Sequence, residues 1–263
     1  MEAVTFYKKR AGVAQVVSSA IENLSGQKYL ALGGMSLRMS TATSDIDQWR
    51  RMFGTSYEAM DQSEIKIRAL RMIEWDSEAG NGAYQVKDER IKKAINYLHK
   101  EGHGNFDFSR PTLPSLAKFV YQLSLYYATL DICEELGATF CGIKCQDELT
   151  VRECSACLIS SFLNNDVGPD GQRKKIIPTS CENDMDSALT QLWMYLLTGK
   201  PAGFGDFRDV VRNTLYIVNC GQHPPYFFGT PEEDSVRKLD VVEYVGQEEA
   251  HAPVGGSAVR GST

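Results

Sequence analysis

From Val4 to Leu24 apolar residues recur at near-helical spacing (Ala14, Val17, Ala20, Ile21, Leu24), and Ser25-Gly26 interrupts them. The pattern predicts an amphipathic helix with a defined end. Lys28–Leu32 is a short apolar run closed by Gly33-Gly34, a strand running into a turn where backbone can approach a ligand closely. Asp45 caps the stretch up to Phe53, and Trp49 and Phe53 stand one helical turn apart on one face. Asp61 followed by Glu64 has the capping-box spacing and predicts another helix start. Asp88 to Lys100 is amphipathic and highly charged, an exposed helix. After the loop Glu101–Ser109 a long helix is expected from Thr112 to Glu135, its wide apolar face made by residues such as Leu116, Phe119, Leu123, Tyr127 and Leu130.

The second half changes period. Ala138–Lys144 reads as a strand with Cys145-Gln146 at its carboxyl end, and Val151, Cys154, Leu158 and Phe162 share a helical face. Asn164–Gly171 reads as a turn-rich surface connection. Then come a strand at Lys174–Thr179, an apolar helical run from Gln191 to Gly199, a strand at Ala202–Asp206 and another at Arg212–Cys220, which has strong β propensity. A strand–helix–strand unit places its strands parallel, with their carboxyl ends at one edge. The expected fold is α/β: a doubly wound, largely parallel sheet over residues 1–195, with residues 196–263 beginning a β-rich domain.

Composition narrows the function. With 263 residues, 43% hydrophobic and 24% charged, the chain is an ordinary globular protein. A net charge of −6 argues against nucleic acid and anionic membrane as partners, since both need a basic face. No apolar run approaches the roughly 20 residues that span a bilayer, and the amino terminus has no apolar signal core. Seven unevenly spread cysteines fit reduced thiols and a cytoplasmic setting. Cys141, Cys145, Cys154 and Cys157 invite a zinc reading, but the first two straddle a strand and the last two fit a helix, where a thiol packs as a small hydrophobe. Gly33-Gly34 lacks the spacing of a dinucleotide-binding turn. The hydroxyl-bearing residues that follow, Ser36 to Ser44, suit sugar hydroxyls or a plain solvated loop.

The candidate chemistry lies at strand ends. Glu182 leaves one expected strand and Asp206 ends the next, and open parallel sheets bind ligands at that edge. If the strands are neighbours, the two carboxylates converge, suiting a hard divalent cation or paired acid–base work. Glu182 and Asp184 also suit a helix start, where the dipole favours negative charge. His223 is the histidine nearest this pair in sequence. Arg208 can position a carboxylate or serve as a surface arginine. His99 and His103 read as surface histidines.

The run Cys181 to Asp209, followed by Asn213 to Gln222, resembles the L-fucose isomerase family, which includes D-arabinose isomerases. Leu32–Ser36, Trp49–Gly54, Asp61–Glu64, Gly142–Gln146 and Tyr244–Glu249 carry the same resemblance, in order, from about residue 25 onward. Leu37 and Arg38 depart from the pattern, where methionine and glycine are more usual. The resemblance implies aldose–ketose isomerisation of a sugar such as L-fucose or D-arabinose through a cis-enediol. It makes Glu182 and Asp206 manganese ligands and proton-transfer groups, and assigns Gln146 to the substrate, where an amide can bond a hydroxyl in both directions. Ser36 joins Gln146 as a candidate substrate contact. The third metal ligand, a histidine, is expected beyond Thr263, and a hexamer is implied. Family members are much longer, so the chain reads as a partial member covering the second domain and the start of the third. The competing reading is a binding or scaffold protein that keeps the isomerase fold without activity.

Overall fold

The computed structural model describes residues 2–76, 83–106, 108, 115–219, 221–230, 232–247 and 256–261. The expected helix start at Thr112 and His251 lie outside them. The long helix α1 (Glu2–Leu24) feeds strand β1 (Lys28–Leu32), and α2 (Ile46–Phe53) leads to β2 (Ser56–Met60). Helix α3 (Ser63–Met72) is followed by a small antiparallel pair, β3 (Ile73–Asp76) and β4 (Ala83–Val86). Helix α4 (Glu89–Ile95) continues as a wider π-turn over Asn96–Lys100, and α5 (Leu116–Glu135) runs into β5 (Phe140–Ile143). Then come α6 (Glu148–Arg152), α7 (Cys157–Leu163), β6 (Thr179–Cys181) and α8 (Met185–Thr198).

Strands β2, β1, β5 and β6 form one parallel sheet in that order. Alternation along the strands sends successive side chains to opposite faces. Leu30, Leu32, Cys141 and Ile143 join a core with residues of α3, α5 and α7. Tyr29, Ala31 and Phe140 pack on the other face with Leu24, Trp49, Met185 and Leu192. The fold is α/β with helices on both faces, as expected.

The beginnings and ends of elements follow their sequence signals in several places. Asp45 caps α2 by accepting from the Gln48 amide at 3.0 Å, and Gly54 ends it in the left-handed region, φ 66°. Asp184 caps α8 through the Ser187 amide at 2.9 Å, and Gly199 ends it at φ 66°. Asp61 and Glu64 do not form the expected capping box. The Asp61 carboxylate accepts from the Ser63 amide at 2.8 Å, while Glu64 pairs with Arg68 one turn on.

Other expectations shift for local reasons. The strand expected at Lys174–Thr179 forms instead at Thr179–Cys181, because Pro178 has no N–H for the ladder. Asn164–Gly171 is not a surface connection: Asn164, Asn165 and Val167 are buried, and the Asn164 side chain bonds both the N–H and the C=O of Thr179. The helical face expected through Cys154 is broken between α6 and α7, leaving Cys154 buried in the connection.

The larger correction concerns the strand expected at Ala202–Asp206. Asp206 instead opens β7 (Asp206–Val211), which pairs antiparallel with β8 (Thr214–Val218) and lies outside the parallel sheet. Arg212 and Asn213 join them with φ of 49° and 65°, the two-residue left-handed turn that matches strand twist in hairpins. Beyond it, Leu239, Val242 and Tyr244 return to the core against α5. The Tyr244 hydroxyl donates to Gln122 at 2.8 Å. The last strands, β9 (Val242–Gln247) and β10 (Gly256–Gly261), pair antiparallel.

Candidate functional site

Strand β6 ends at Cys181, and the chain turns at once into α8. It does so through two consecutive left-handed residues, Glu182 (φ 53°) and Asn183 (φ 54°). Asparagine tolerates that region because its short polar side chain can bond locally, whereas glutamate carries a steric cost there. Asn183 is tied on three sides. Its backbone N–H donates to Ile143 O at 3.0 Å. Its side-chain oxygen accepts from the buried Tyr29 hydroxyl at 2.7 Å, and its amide nitrogen donates to Gly34 O at 3.2 Å. Gly142 makes room: a Cβ there would lie 2.2 Å from the Tyr29 oxygen and 2.9 Å from Asn183 Cα.

This anchoring aims the half-buried Glu182 side chain across the ends of β1 and β5. Its Oε2 accepts from the backbone N–H of Gln146 at 2.9 Å and of Cys145 at 3.4 Å, and meets the buried Ser36 hydroxyl in a short hydrogen bond. Ser36 Oγ also lies 2.8 Å from Gln146 O. The Cys181 thiol approaches Oε1 at 3.6 Å. Burial raises the Glu182 carboxyl above its ordinary value, partly opposed by these hydrogen bonds from Ser36, Gln146 and Cys145. A serine has one hydroxyl proton. When it donates to Gln146 O, a protonated Glu182 can donate to Ser36; when Glu182 is ionised, the serine can turn and donate to it.

Of the residues expected from sequence, Glu182, Ser36 and Gln146 therefore meet at the carboxyl edge of the sheet. Gln146 meets Glu182 through its backbone. Asp206 is at the exposed start of β7, on the hairpin. Carboxylate oxygens are the donors a hard divalent cation takes, and Glu182 fits such a role. Among the described residues, however, no three His, Cys, Asp or Glu side chains come together as a metal site. These residues do not by themselves assemble the expected centre.

The remaining candidates fall elsewhere. The His223 carbonyl accepts from Ser161 at 2.8 Å, and burial lowers its imidazole's affinity for a proton. His99 bonds Phe106 O and His103 bonds Asp240. The described cysteines are all buried; Cys145 accepts from the Ala156 amide at 3.2 Å, and burial pushes the Cys154 thiol up to about 12. Sequence reasoning missed Tyr29, Asn183 and Gly142 as supports of the site. The one local signal was an asparagine following Glu182 at the expected strand end.

No family model matches the chain. It is similar to the L-fucose isomerase of Streptococcus pneumoniae serotype 2 (strain D39 / NCTC 7466), at 24% identity over 193 residues, which covers 68% of this chain and 32% of that enzyme. It is likewise similar to the L-fucose isomerase of Escherichia coli O1:K1 / APEC, at 24% identity over 198 residues, 72% of this chain and 33% of that enzyme. The chain thus spans about a third of the length of the curated relatives it matches. This low-identity likeness suggests the L-fucose isomerase family. No described helix is long and apolar enough to cross a membrane.

Proposed function

We propose that this chain supplies part of the active site of a metal-dependent aldose–ketose isomerase acting on sugars of the L-fucose or D-arabinose type. The observation that carries the reading is the Glu182 carboxylate, built by a strained turn into the edge of a parallel sheet, in a chain similar to L-fucose isomerases. Isomerisation takes a proton from C2 and returns one to C1. A carboxyl group whose proton affinity is raised by burial is nearer neutrality, where both transfers are efficient. Glu182 would move that proton, with Ser36 as the adjacent hydroxyl through which it is held. The Gln146 side chain, at the same loop, would contact substrate hydroxyls.

Glu182 and Asp206 would hold a manganese or similar ion, together with ligands these residues do not provide. When bound, that ion would stabilise negative charge developing on substrate oxygens. A cytoplasmic homo-oligomer, a hexamer by resemblance, is part of the same proposal. A second reading, a binding protein on the isomerase scaffold, is favoured by the placement of Asp206 on a separate exposed hairpin.

The test is ketose formation from L-fucose and D-arabinose by the natural full-length protein, with and without manganese. The expected result is metal-dependent turnover that falls by about a hundredfold or more in Glu182→Gln, the scale of a lost proton-transfer group, and falls also in Asp206→Asn. Binding of either sugar without turnover, in a folded and manganese-loaded protein, would establish the second reading.

A further inference from the structure

Sequence alone makes Ser36 a candidate substrate contact, yet its surroundings exclude that role. Ser36 is wholly buried, and its hydroxyl is occupied on two sides, by Gln146 O at 2.8 Å and by Glu182 Oε2. A serine acts on a ligand only through that hydroxyl, and a side chain with no exposed surface cannot reach a bound molecule.

What its contacts do is hold a carboxylate. Three donors converge on one oxygen of Glu182: the Ser36 hydroxyl and the backbone N–H groups of Gln146, at 2.9 Å, and Cys145, at 3.4 Å. Hydrogen bonds to an ionised oxygen are stronger than those between neutral groups, and successive N–H groups aimed at one point make an anion-binding concavity. The other oxygen, Oε1, meets only the Cys181 thiol at 3.6 Å, a weak donor. The two ends of residue 182 are thus fixed separately. Asn183 anchors the left-handed backbone, φ 53° at Glu182, through Ile143, Tyr29 and Gly34, and the three donors fix the carboxylate. A strained residue persists where its surroundings over-determine it.

We propose that Ser36 is a positioning residue and not a substrate contact: with the N–H groups of Cys145 and Gln146 it forms a carboxylate cradle that holds Oε2 and leaves Oε1 as the single oxygen of Glu182 that meets a ligand. The cradle stands on geometry alone; only the use made of Oε1 rests on the isomerase reading.

The experiment follows the Gln146 amide proton of the ¹⁵N-labelled 263-residue protein at one fixed pH. In the wild type its bond to the carboxylate should hold it downfield. It should move upfield in Ser36→Ala, and also in Glu182→Gly, which removes the carboxylate and the left-handed strain together. Formate added to Glu182→Gly should restore the shift saturably by filling the emptied cradle, while acetamide, a neutral control, should not. Affinity for formate should fall about tenfold when Ser36→Ala is added, the scale of one lost hydrogen bond to a charged group. Thermal melts establish that each variant is folded. In the natural full-length protein, Ser36→Ala should lower kcat about tenfold while KM stays within about twofold, as lost positioning does. A Gln146 amide unmoved in Ser36→Ala, or formate acting equally with and without Ser36 or not at all, would overturn the cradle. A raised KM at unchanged kcat would overturn the positioning role and restore Ser36 as a substrate contact. Absence of turnover in the full-length wild type would sink the isomerase reading, while the amide measurements still decide the cradle.

Discussion

Asn183 joins three segments that are far apart in the chain: β1 through Tyr29, the turn after it through Gly34, and β5 through Ile143. Removing its side chain leaves the buried Tyr29 hydroxyl without its acceptor, at a cost of about 1–3 kcal/mol. Asn183→Ala should therefore lower stability in urea by at least that amount, since alanine at φ 54° adds a left-handed cost of about 1 kcal/mol. Tyr29→Phe should cost less, about 1 kcal/mol, because Asn183 keeps its bond to Gly34. The double variant should fall short of the sum, since both singles break one bond; strictly additive losses would show that the pair is not coupled. Nothing near Glu182 in sequence announces Tyr29 as its support, because the partners are brought together only by sheet order. Arg38, by contrast, sits where the structure accounts for the more usual glycine: it adopts φ 59°, where glycine has no steric cost. Arg38→Gly should stabilise the protein by about 1 kcal/mol, the scale of the left-handed penalty.

Elements were legible where their ends carry chemistry. The Asp45 and Asp184 helix starts and the Gly199 stop mark α2 and α8 in both sequence and structure, and Gly54 ends α2 in the same left-handed way. Strand β2 was not foreseen, because Ser56–Met60 mixes polar and small residues and gains its strand state from pairing with β1. The segment before β6 was misread because apolar Ile176 and Ile177 look like strand residues, yet they are buried in a connection. Lys174, in that connection, gives it a pH signature. Burial pulls its ammonium from 10.5 down to about 7, although Nζ donates to Leu163 O at 2.9 Å and Lys175 O at 3.0 Å. Between these values the unfolded chain binds more protons than the folded one, so stability should rise with pH across that window. Below about 7 both states are protonated and the burial cost is fully present. Lys174→Met should flatten the rise; urea melts from about pH 7 to about pH 10 would show it, and an unchanged slope would mean the hydrogen bonds keep the ammonium charged.

At the scale of the whole molecule the feature that the sequence misplaced is the β7–β8 hairpin. The strong β propensity of Arg212–Cys220 predicted the strand that forms there as β8, but the strand expected at Ala202–Asp206 forms instead at Asp206–Val211 and pairs with β8 through the turn at Arg212-Asn213. Pairing Phe207 with Ile217 and Val210 with Leu215 puts four apolar side chains on one face of the ribbon. All four are exposed, by 68% at Phe207, 58% at Ile217, 56% at Val210 and 49% at Leu215. Exposed apolar surface of this kind drives association. The 263-residue chain should therefore self-associate with increasing concentration in sedimentation velocity. Phe207→Ser with Ile217→Thr should shift it toward monomer, because both changes remove apolar area while threonine retains β propensity. Since the hairpin packs outside the parallel sheet, the far-UV spectrum and the main melting transition should stay unchanged in the double variant. If the double variant sediments like the wild type at every concentration, the association, if any, runs through another surface. If instead it loses the main transition, the hairpin stabilises the α/β core.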